Sequence, residues 1–180
     1  MHPCKVHLPG VECSSGSLGH GLPMAVGMAI SARTKGEKHR VYCMVGDGES
    51  AEGSVWEAAT VAHSQNLGNL IVIVDRNRQF MTSFSEDLIK LEPYTDKWKA
   101  FGFRVVEIDG HNMTEIVETL DNLPSADSKQ PTAIIANTIK GKGVSFMEKN
   151  LGWHAGKLGE KDLSQALAEL DAAYQKKGGC

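Results

Sequence analysis

The sequence has no long run of apolar residues and no block of basic ones. Its best apolar stretches cover 70–74 and 133–136, far short of the roughly 20 residues that a membrane-spanning helix needs. Residues 1–5 contain no apolar signal core. Lys and Arg number 19 against 22 Asp and Glu, for a net charge of −3. We therefore expect neither a membrane nor a nucleic acid as partner.

Cysteine pairs and aromatic residues are also scarce. The four cysteines form no Cys-x-x-Cys pair, and 180 residues can build a core without disulfides. Reduced thiols and a cytoplasmic location are the expectation. Aromatic residues make up 6% of the chain, whereas glycine is abundant at 19 residues, which favours tight loops that approach ligands closely. The length fits a single domain over 1–180, with its core at about 16–154.

Strand-like and helix-like segments alternate along the chain. Apolar runs predict buried strands at 41–45, 70–75 and 132–136, and the alternation continues with a strand at 104–108. Helical spacing predicts helices at 22–35, 50–66, 96–101 and 113–123, with a closing helix at 161–174. This alternation is typical of an α/β fold in which a parallel sheet carries helices on both faces. Ligands of such folds bind beyond the carboxyl ends of the strands.

Two loops at those ends carry oxygen-bearing side chains. Gly46, Asp47 and Gly48 follow the first strand, and Asn77 follows the second. Side by side at one sheet edge, Asp47 and Asn77 would form an oxygen-only site for Mg²⁺ or Ca²⁺. The two glycines would let phosphate oxygens approach the backbone, and the following helix would offer N-terminal amides to an anion. The combination fits a metal-bound diphosphate.

Each motif taken alone also has a purely structural interpretation. Gly-Asp-Gly is a common turn, and Asn after a strand is usually a turn former. A nicotinamide-binding loop is disfavoured, because Gly16, Gly19 and Gly21 follow no strand. Since a loop at a strand end carries little core packing, we expect replacement of Asp47 to abolish ligand binding and to leave the fold intact.

Longer motifs resemble the thiamine diphosphate enzymes, and within them the diphosphate-binding domain of the transketolase family. Gly46-Asp47-Gly48 with Asn77 matches the family's cofactor motif. The more specific matches are Glu-Ser-Ala-Glu-Gly at 49–53, Lys-Trp-Lys-Ala-Phe-Gly at 97–102, Asp-Gly-His at 109–111, Lys-Gly-Lys-Gly at 140–143 and Trp-His at 153–154. The resemblance runs from residue 2 to about residue 154, and the dehydrogenase E1 and pyruvate decarboxylase branches share only its Gly-Asp-Gly and Asn frame.

The resemblance implies a metal and diphosphate site made by five residues. Asp47, Asn77 and the main-chain carbonyl of Gln79 would hold the metal ion, Mg²⁺ or Ca²⁺. Gly46 and Gly48 would lie at the diphosphate of the cofactor, thiamine diphosphate, with the Gly48 amide meeting a phosphate oxygen.

Other residues would contact the rest of the cofactor and the substrate. Gly16 and Leu18 match the family's loop beside the cofactor, with Leu18 against the aminopyrimidine, and Met81 falls near the thiazolium. Lys140 and His154 match positions near the diphosphate and the reacting carbons. The residues implied as catalytic are His154, His2 and His20, although for His20 an acid–base role and a mere loop role are equally open.

The resemblance implies a Mg²⁺-dependent transketolase component that transfers a two-carbon ketol unit between sugar phosphates. The family's domain begins earlier, so we expect an N-terminally shortened form of it. The pyrimidine-binding domain would come from a partner subunit, in a dimer of such pairs. The small-residue helix face at 55–62 and Glu52 are expected near that subunit contact. The alternative is a non-catalytic, shortened paralogue that acts as a binding or assembly module.

Overall fold

The computed structural model describes residues 2–176, which form a four-stranded parallel sheet with flanking helices. The strands are β1 (Val41–Gly46), β2 (Leu70–Arg76), β3 (Arg104–Asp109) and β4 (Thr132–Asn137), in the spatial order β1-β2-β4-β3. The helices are α1 (Gly21–Thr34), α2 (Gly53–Ser64), α3 (Ser85–Leu88), α4 (Tyr94–Ala100), α5 (Met113–Asp121) and α6 (Glu160–Lys176). Short 3₁₀ helices cover Glu49–Ala51 and Leu151–His154. The predicted α/β class is confirmed.

Helices lie on both faces of the sheet because the central strands are apolar on both sides. Val72 and Val74 of β2 belong to the larger core, which α1, α2 and α4 cover. Ile71 and Ile134 face the other way and pack with α5 in a second, smaller core. A strand buried on both faces has a continuous apolar sequence, which explains why β2 is the clearest strand in the sequence.

The predicted helix at 50–66 is two elements in the structure. A 3₁₀ turn at Glu49–Ala51 is followed by Glu52, whose extended backbone (ψ 129°) ends the turn and begins α2. The small side chains of α2 are buried in the chain's own core; they are Val55, Ala58, Ala59 and Ala62. These four side chains are thus covered within the chain itself, whereas Glu52 is exposed. That this region borders a subunit contact stays a prediction.

The strand register brings the functional loops to one edge. Gly46 of β1 pairs with Asp75 of β2, and Asp75 pairs with Ala136 of β4. Parallel strands in this register end together, so the loops that follow β1, β2 and β4 all begin at the same edge of the sheet. Among residues 2–176, no helix combines the length and the apolarity needed to cross a bilayer.

Gly68 provides a test of how tightly the loop before β2 is packed. A Cβ at this position would overlap the main-chain carbonyl oxygen of Ser128. We expect Gly68→Ala to lower the free energy of unfolding by about 1–3 kcal/mol, as overpacking usually does. Gly27→Ala is the matched control, because a Cβ on Gly27 of α1 meets no atom within 4 Å, and removing a helical glycine should stabilise by about 0.5–1 kcal/mol. Urea unfolding measures both, and a Gly68→Ala variant as stable as wild type would contradict the packing.

Candidate functional site

Asp47 lies at the end of β1 and is fully buried. Its Oδ2 accepts hydrogen bonds from Arg76 Nη1 and from the Arg78 amide, each at 2.7 Å, and its Oδ1 accepts one from the Gly48 amide at 2.8 Å. Burial raises the pKa of this carboxyl, and the hydrogen bonds from Arg76 and the two amides oppose that rise. The expectation that Asp47 carries little packing is wrong, since its carboxylate sits in a buried ion pair.

Asn77 and Gln79 lie beside this carboxylate, in the loop after β2. Asn77 Oδ1 accepts from the Gln79 amide at 3.0 Å, and Asn77 Nδ2 donates to Asp75 Oδ2 at 2.9 Å. A Cβ built on Gly48 would lie 3.5 Å from the Gln79 carbonyl oxygen and 2.9 Å from the Phe80 ring. The structure therefore brings the three expected metal ligands to one edge, and it explains why position 48 has no side chain.

The donor chemistry of this edge fits a hard divalent cation. Asp47 Oδ1 and Asn77 Oδ1 each accept one amide hydrogen bond, and such oxygens have two lone pairs. Within residues 2–176, no three His, Cys, Asp or Glu side chains converge as a metal cluster. A cation here would rely on one carboxylate, one side-chain amide and one main-chain carbonyl, with water and phosphate completing its shell, as Mg²⁺ commonly does.

Three amides of the loop that begins at Gly48 already donate inside it. The Gly48 amide donates to Asp47 Oδ1. The amides of Ser50 and Ala51 donate to the carbonyls of Asp47 and Gly48. Because the 3₁₀ turn separates the loop from α2, the expectation that a helix N-terminus follows directly is wrong. A phosphate oxygen would have to share the Gly48 amide with Asp47.

The glycine loop before α1 contacts the Gly-Asp-Gly loop directly. The Gly19 amide donates to Glu49 Oε1 at 3.0 Å, and Ser54 Oγ donates to the Gly19 carbonyl at 2.7 Å. Gly19 has a φ of 75°, which L-residues rarely adopt. These contacts hold the loop that carries Leu18 against the Gly-Asp-Gly loop, and the Leu18 side chain is 58% exposed. Met81, two residues after Gln79, is 61% exposed.

His2 and His20 both contact this glycine loop. The His2 ring rests on Gly16, since a Cβ there would be 2.7 Å from the ring. His20 precedes α1, and its Nδ1 donates to the Leu18 carbonyl at 2.9 Å. Both imidazoles are exposed, which is consistent with access to a ligand as well as with a surface role.

Lys140 and His154 form a pair in the segment after β4. Lys140 Nζ lies 3.0 Å from His154 Nδ1. An ammonium can only donate, so the imidazole accepts at Nδ1 and carries its proton on Nε2. Burial and the Lys140 charge lower the pKa of His154. Burial also lowers the pKa of Lys140, although the charges of Asp75 and Asp47 oppose that change.

Arg76 is a residue of this site that sequence reasoning missed; it is 2% exposed and pairs with three carboxylates. Besides Asp47, it donates through Nη2 to Glu92 at 2.7 Å and to Glu86 at 3.3 Å. The alternation of side chains along the strand could have indicated it. Arg76 lies two residues after Val74 and four after Val72, so it shares their buried face of the sheet. An inward arginine at a strand end requires a buried carboxylate, and Asp47 is the nearest acidic side chain at the end of the neighbouring strand.

Comparisons of this chain with known proteins agree on one family. The profile of the family described as "Transketolase, thiamine diphosphate binding domain" matches residues 1–177. An apulose-4-phosphate transketolase subunit of Actinobacillus succinogenes is 43% identical over 94% of this chain and 60% of its own length. A 6-deoxy-6-sulfo-D-fructose transketolase subunit of a Clostridium species is 43% identical over 90% of this chain and 58% of its own length.

A solved structure agrees with the fold. The transketolase of Campylobacter jejuni superposes with a TM-score of 0.83 at 32% identity, covering 90% of this chain and 26% of that one. This chain thus spans about 60% of the length of the curated relatives described above and a smaller part of a whole transketolase. The resemblance noted in the sequence is confirmed, and the chain belongs to the transketolase family, to its thiamine diphosphate binding domain.

Proposed function

We propose that this chain is the diphosphate-binding component of a Mg²⁺-dependent transketolase that needs a pyrimidine-domain partner. The observation that carries the proposal is the convergence of Asp47, Asn77 and the Gln79 carbonyl at one sheet edge, in a chain of this family. Asp47 Oδ1, Asn77 Oδ1 and the Gln79 oxygen would hold the cation. Gly46 leaves room for the diphosphate, and the Gly48 amide would bind one of its oxygens.

The remaining residues of the site would orient the cofactor and the substrate. Thiamine diphosphate, when bound, supplies the carbon nucleophile and the electron sink for ketol transfer. Gly16 and Leu18 would pack beside its pyrimidine ring and Met81 beside its thiazolium. The relatives are named for transfer involving apulose 4-phosphate and sulfofructose, and a sugar phosphate is the substrate class that we propose here.

Histidines would handle the protons of the sugar hydroxyls. His154 is suited to this, because its Nδ1 is held by Lys140 and its Nε2–H remains a donor. His2 and His20 are proposed to contact sugar hydroxyls as well, since both residues are exposed.

The site would be completed by a second polypeptide. Leu18 and Met81, both more than half exposed, are the side chains expected against the cofactor rings, so something must cover them in the active enzyme. The carboxylate that activates the pyrimidine would come from this partner. Relatives that are themselves named as transketolase subunits support such a split arrangement, and a dimer of such pairs is the assembly that we propose.

Mixing experiments test this function. We expect the purified chain to bind thiamine diphosphate weakly and to show no ketol transfer alone, because it supplies only one end of the cofactor site. Mixing with a pyrimidine-domain transketolase subunit from the same genome should restore both binding and turnover. A coupled transketolase assay measures activity, and analytical ultracentrifugation measures assembly. Robust turnover by the chain alone would contradict the split site, and a tight but inactive pair would favour the non-catalytic module.

A further inference from the structure

The two carboxylate oxygens of Asp47 accept different numbers of hydrogen bonds. Oδ2 accepts from Arg76 Nη1 and from the Arg78 amide, both at 2.7 Å. Oδ1 accepts from the Gly48 amide, at 2.8 Å. The two oxygens of this fully buried carboxylate are therefore not equivalent toward an incoming cation.

Arg76 is fixed in place by its own surroundings. Its Nη2 donates to Glu92 and Glu86, its Nη1 also donates to Ser85 Oγ at 3.2 Å, and its guanidinium lies 4.7 Å from the Tyr94 ring centroid. A planar guanidinium held on several sides cannot turn away from Asp47 without breaking these contacts. Its single positive charge faces three carboxylates, and the charge of Arg78 also acts on Glu92.

We propose that Arg76 is a positioning residue that makes Asp47 a one-oxygen ligand and so favours Mg²⁺ over Ca²⁺. The inference rests on the metal–diphosphate site proposed above. Mg²⁺ demands near-octahedral geometry and takes one oxygen from each carboxylate, whereas Ca²⁺ accepts six to eight ligands and often both oxygens of a carboxylate. Because Oδ2 already accepts hydrogen bonds from Arg76 and from the Arg78 amide, Asp47 cannot bind Ca²⁺ through both oxygens. Binding of Mg²⁺, which uses one oxygen, is not affected.

Metal titrations of the assembled pair, saturated with thiamine diphosphate, test the proposal. The dissociation constants of Mg²⁺ and of Ca²⁺ are measured by calorimetry. In Arg76→Met, where Oδ2 keeps only the Arg78 amide, we expect the preference for Mg²⁺ over Ca²⁺ to fall about tenfold, the lower end of the losses of metal affinity that follow removal of an outer hydrogen-bond partner. Arg76→Lys keeps the charge and a donor, and it should restore most of the preference.

Tyr94→Phe is the matched control. It removes the hydrogen bond from the Tyr94 hydroxyl to Ser50 Oγ in the same buried cluster but leaves the Arg76–Asp47 pair in place. We expect the Mg²⁺ preference to be unchanged in this variant. An equal loss of preference in Tyr94→Phe would mean that general loosening of the cluster is responsible, and it would overturn the role of Arg76.

The other outcomes separate the two levels of the proposal. A wild-type pair that binds neither ion with the cofactor overturns the proposed function, and this inference with it. A wild-type pair that binds both, with the same preference in Arg76→Met, overturns only the inference. If Arg76→Met does not fold, the proposal can be tested by a crystal structure of the wild-type pair with Ca²⁺ and thiamine diphosphate. One Asp47 oxygen on Ca²⁺, with Oδ2 still on Arg76, is expected, and two oxygens on Ca²⁺ would overturn the proposal.

Discussion

Asp47→Ala is expected to abolish Mg²⁺-dependent binding of thiamine diphosphate and to lower the free energy of unfolding by about 3–5 kcal/mol. The first effect follows from loss of the only carboxylate in the proposed ligand set. The second follows because removing one member of a buried ion pair leaves the other charge uncompensated. The lower end of the range is expected, since Arg76 retains Glu92 and Glu86 as partners. Calorimetry on the assembled pair and urea unfolding measure the two effects.

Two further variants separate binding from folding. Asp47→Asn keeps the side-chain volume and an acceptor oxygen, so it should lose most of the metal affinity with a smaller loss of stability. Asp109→Ala is the matched control, because Asp109 ends β3 at the same sheet edge but is exposed. Its Oδ1 accepts one hydrogen bond, from the His111 amide at 2.9 Å, so we expect a loss of stability of about 0.5–1.5 kcal/mol and unchanged affinity. Wild-type affinity in Asp47→Asn would refute the assignment of Asp47 as a metal ligand.

The fold could be predicted well from the sequence because its main signals are local. The run at 70–75 is short, β-branched and almost wholly apolar, which predicts a doubly covered strand, and the structure gives β2 as Leu70–Arg76. The break at Glu52 could not be predicted in this way, since 50–66 has continuous helical spacing whereas the extended backbone of Glu52 separates the 3₁₀ turn from α2. The spatial order of the strands also depends on which helix faces pack together, a property of no single segment.

The residues of the candidate site could be predicted from the sequence, but the hydrogen bonds between its loops could not. Asp47 and Asn77 follow adjacent strands, which is enough to place them together once the sheet is assumed parallel. Contacts between distant loops, such as the Gly19 amide on Glu49, carry no periodic signal. The burial of Asp47 was missed for the same reason, because it depends on contacts with residues of another strand, such as Arg76.

His154→Ala is expected to lower kcat about 10²–10⁴-fold in the assembled pair, with little change in cofactor affinity. An imidazole that exchanges or holds a proton stabilises mainly the transition state, so its loss reduces kcat more than binding. His39→Ala is the control, because His39 is an exposed loop residue that lies 3.5 Å from Glu37; it should keep wild-type turnover. Coupled assays with a donor ketose phosphate measure kcat, and an unchanged kcat in His154→Ala would remove His154 from the mechanism.

The pH profile distinguishes a proton-handling His154 from one that only packs in the loop. Burial and the Lys140 charge lower the pKa of His154, so the neutral imidazole persists below the ordinary histidine value of about 6.5. If the neutral form is required, activity is lost as the pH falls through this lowered pKa. Lys140→Met removes the positive charge, one of the two causes of the lowered pKa, so the acidic limb of the kcat–pH profile should move toward higher pH. An acidic limb that does not move would show that His154 does not titrate in the reaction.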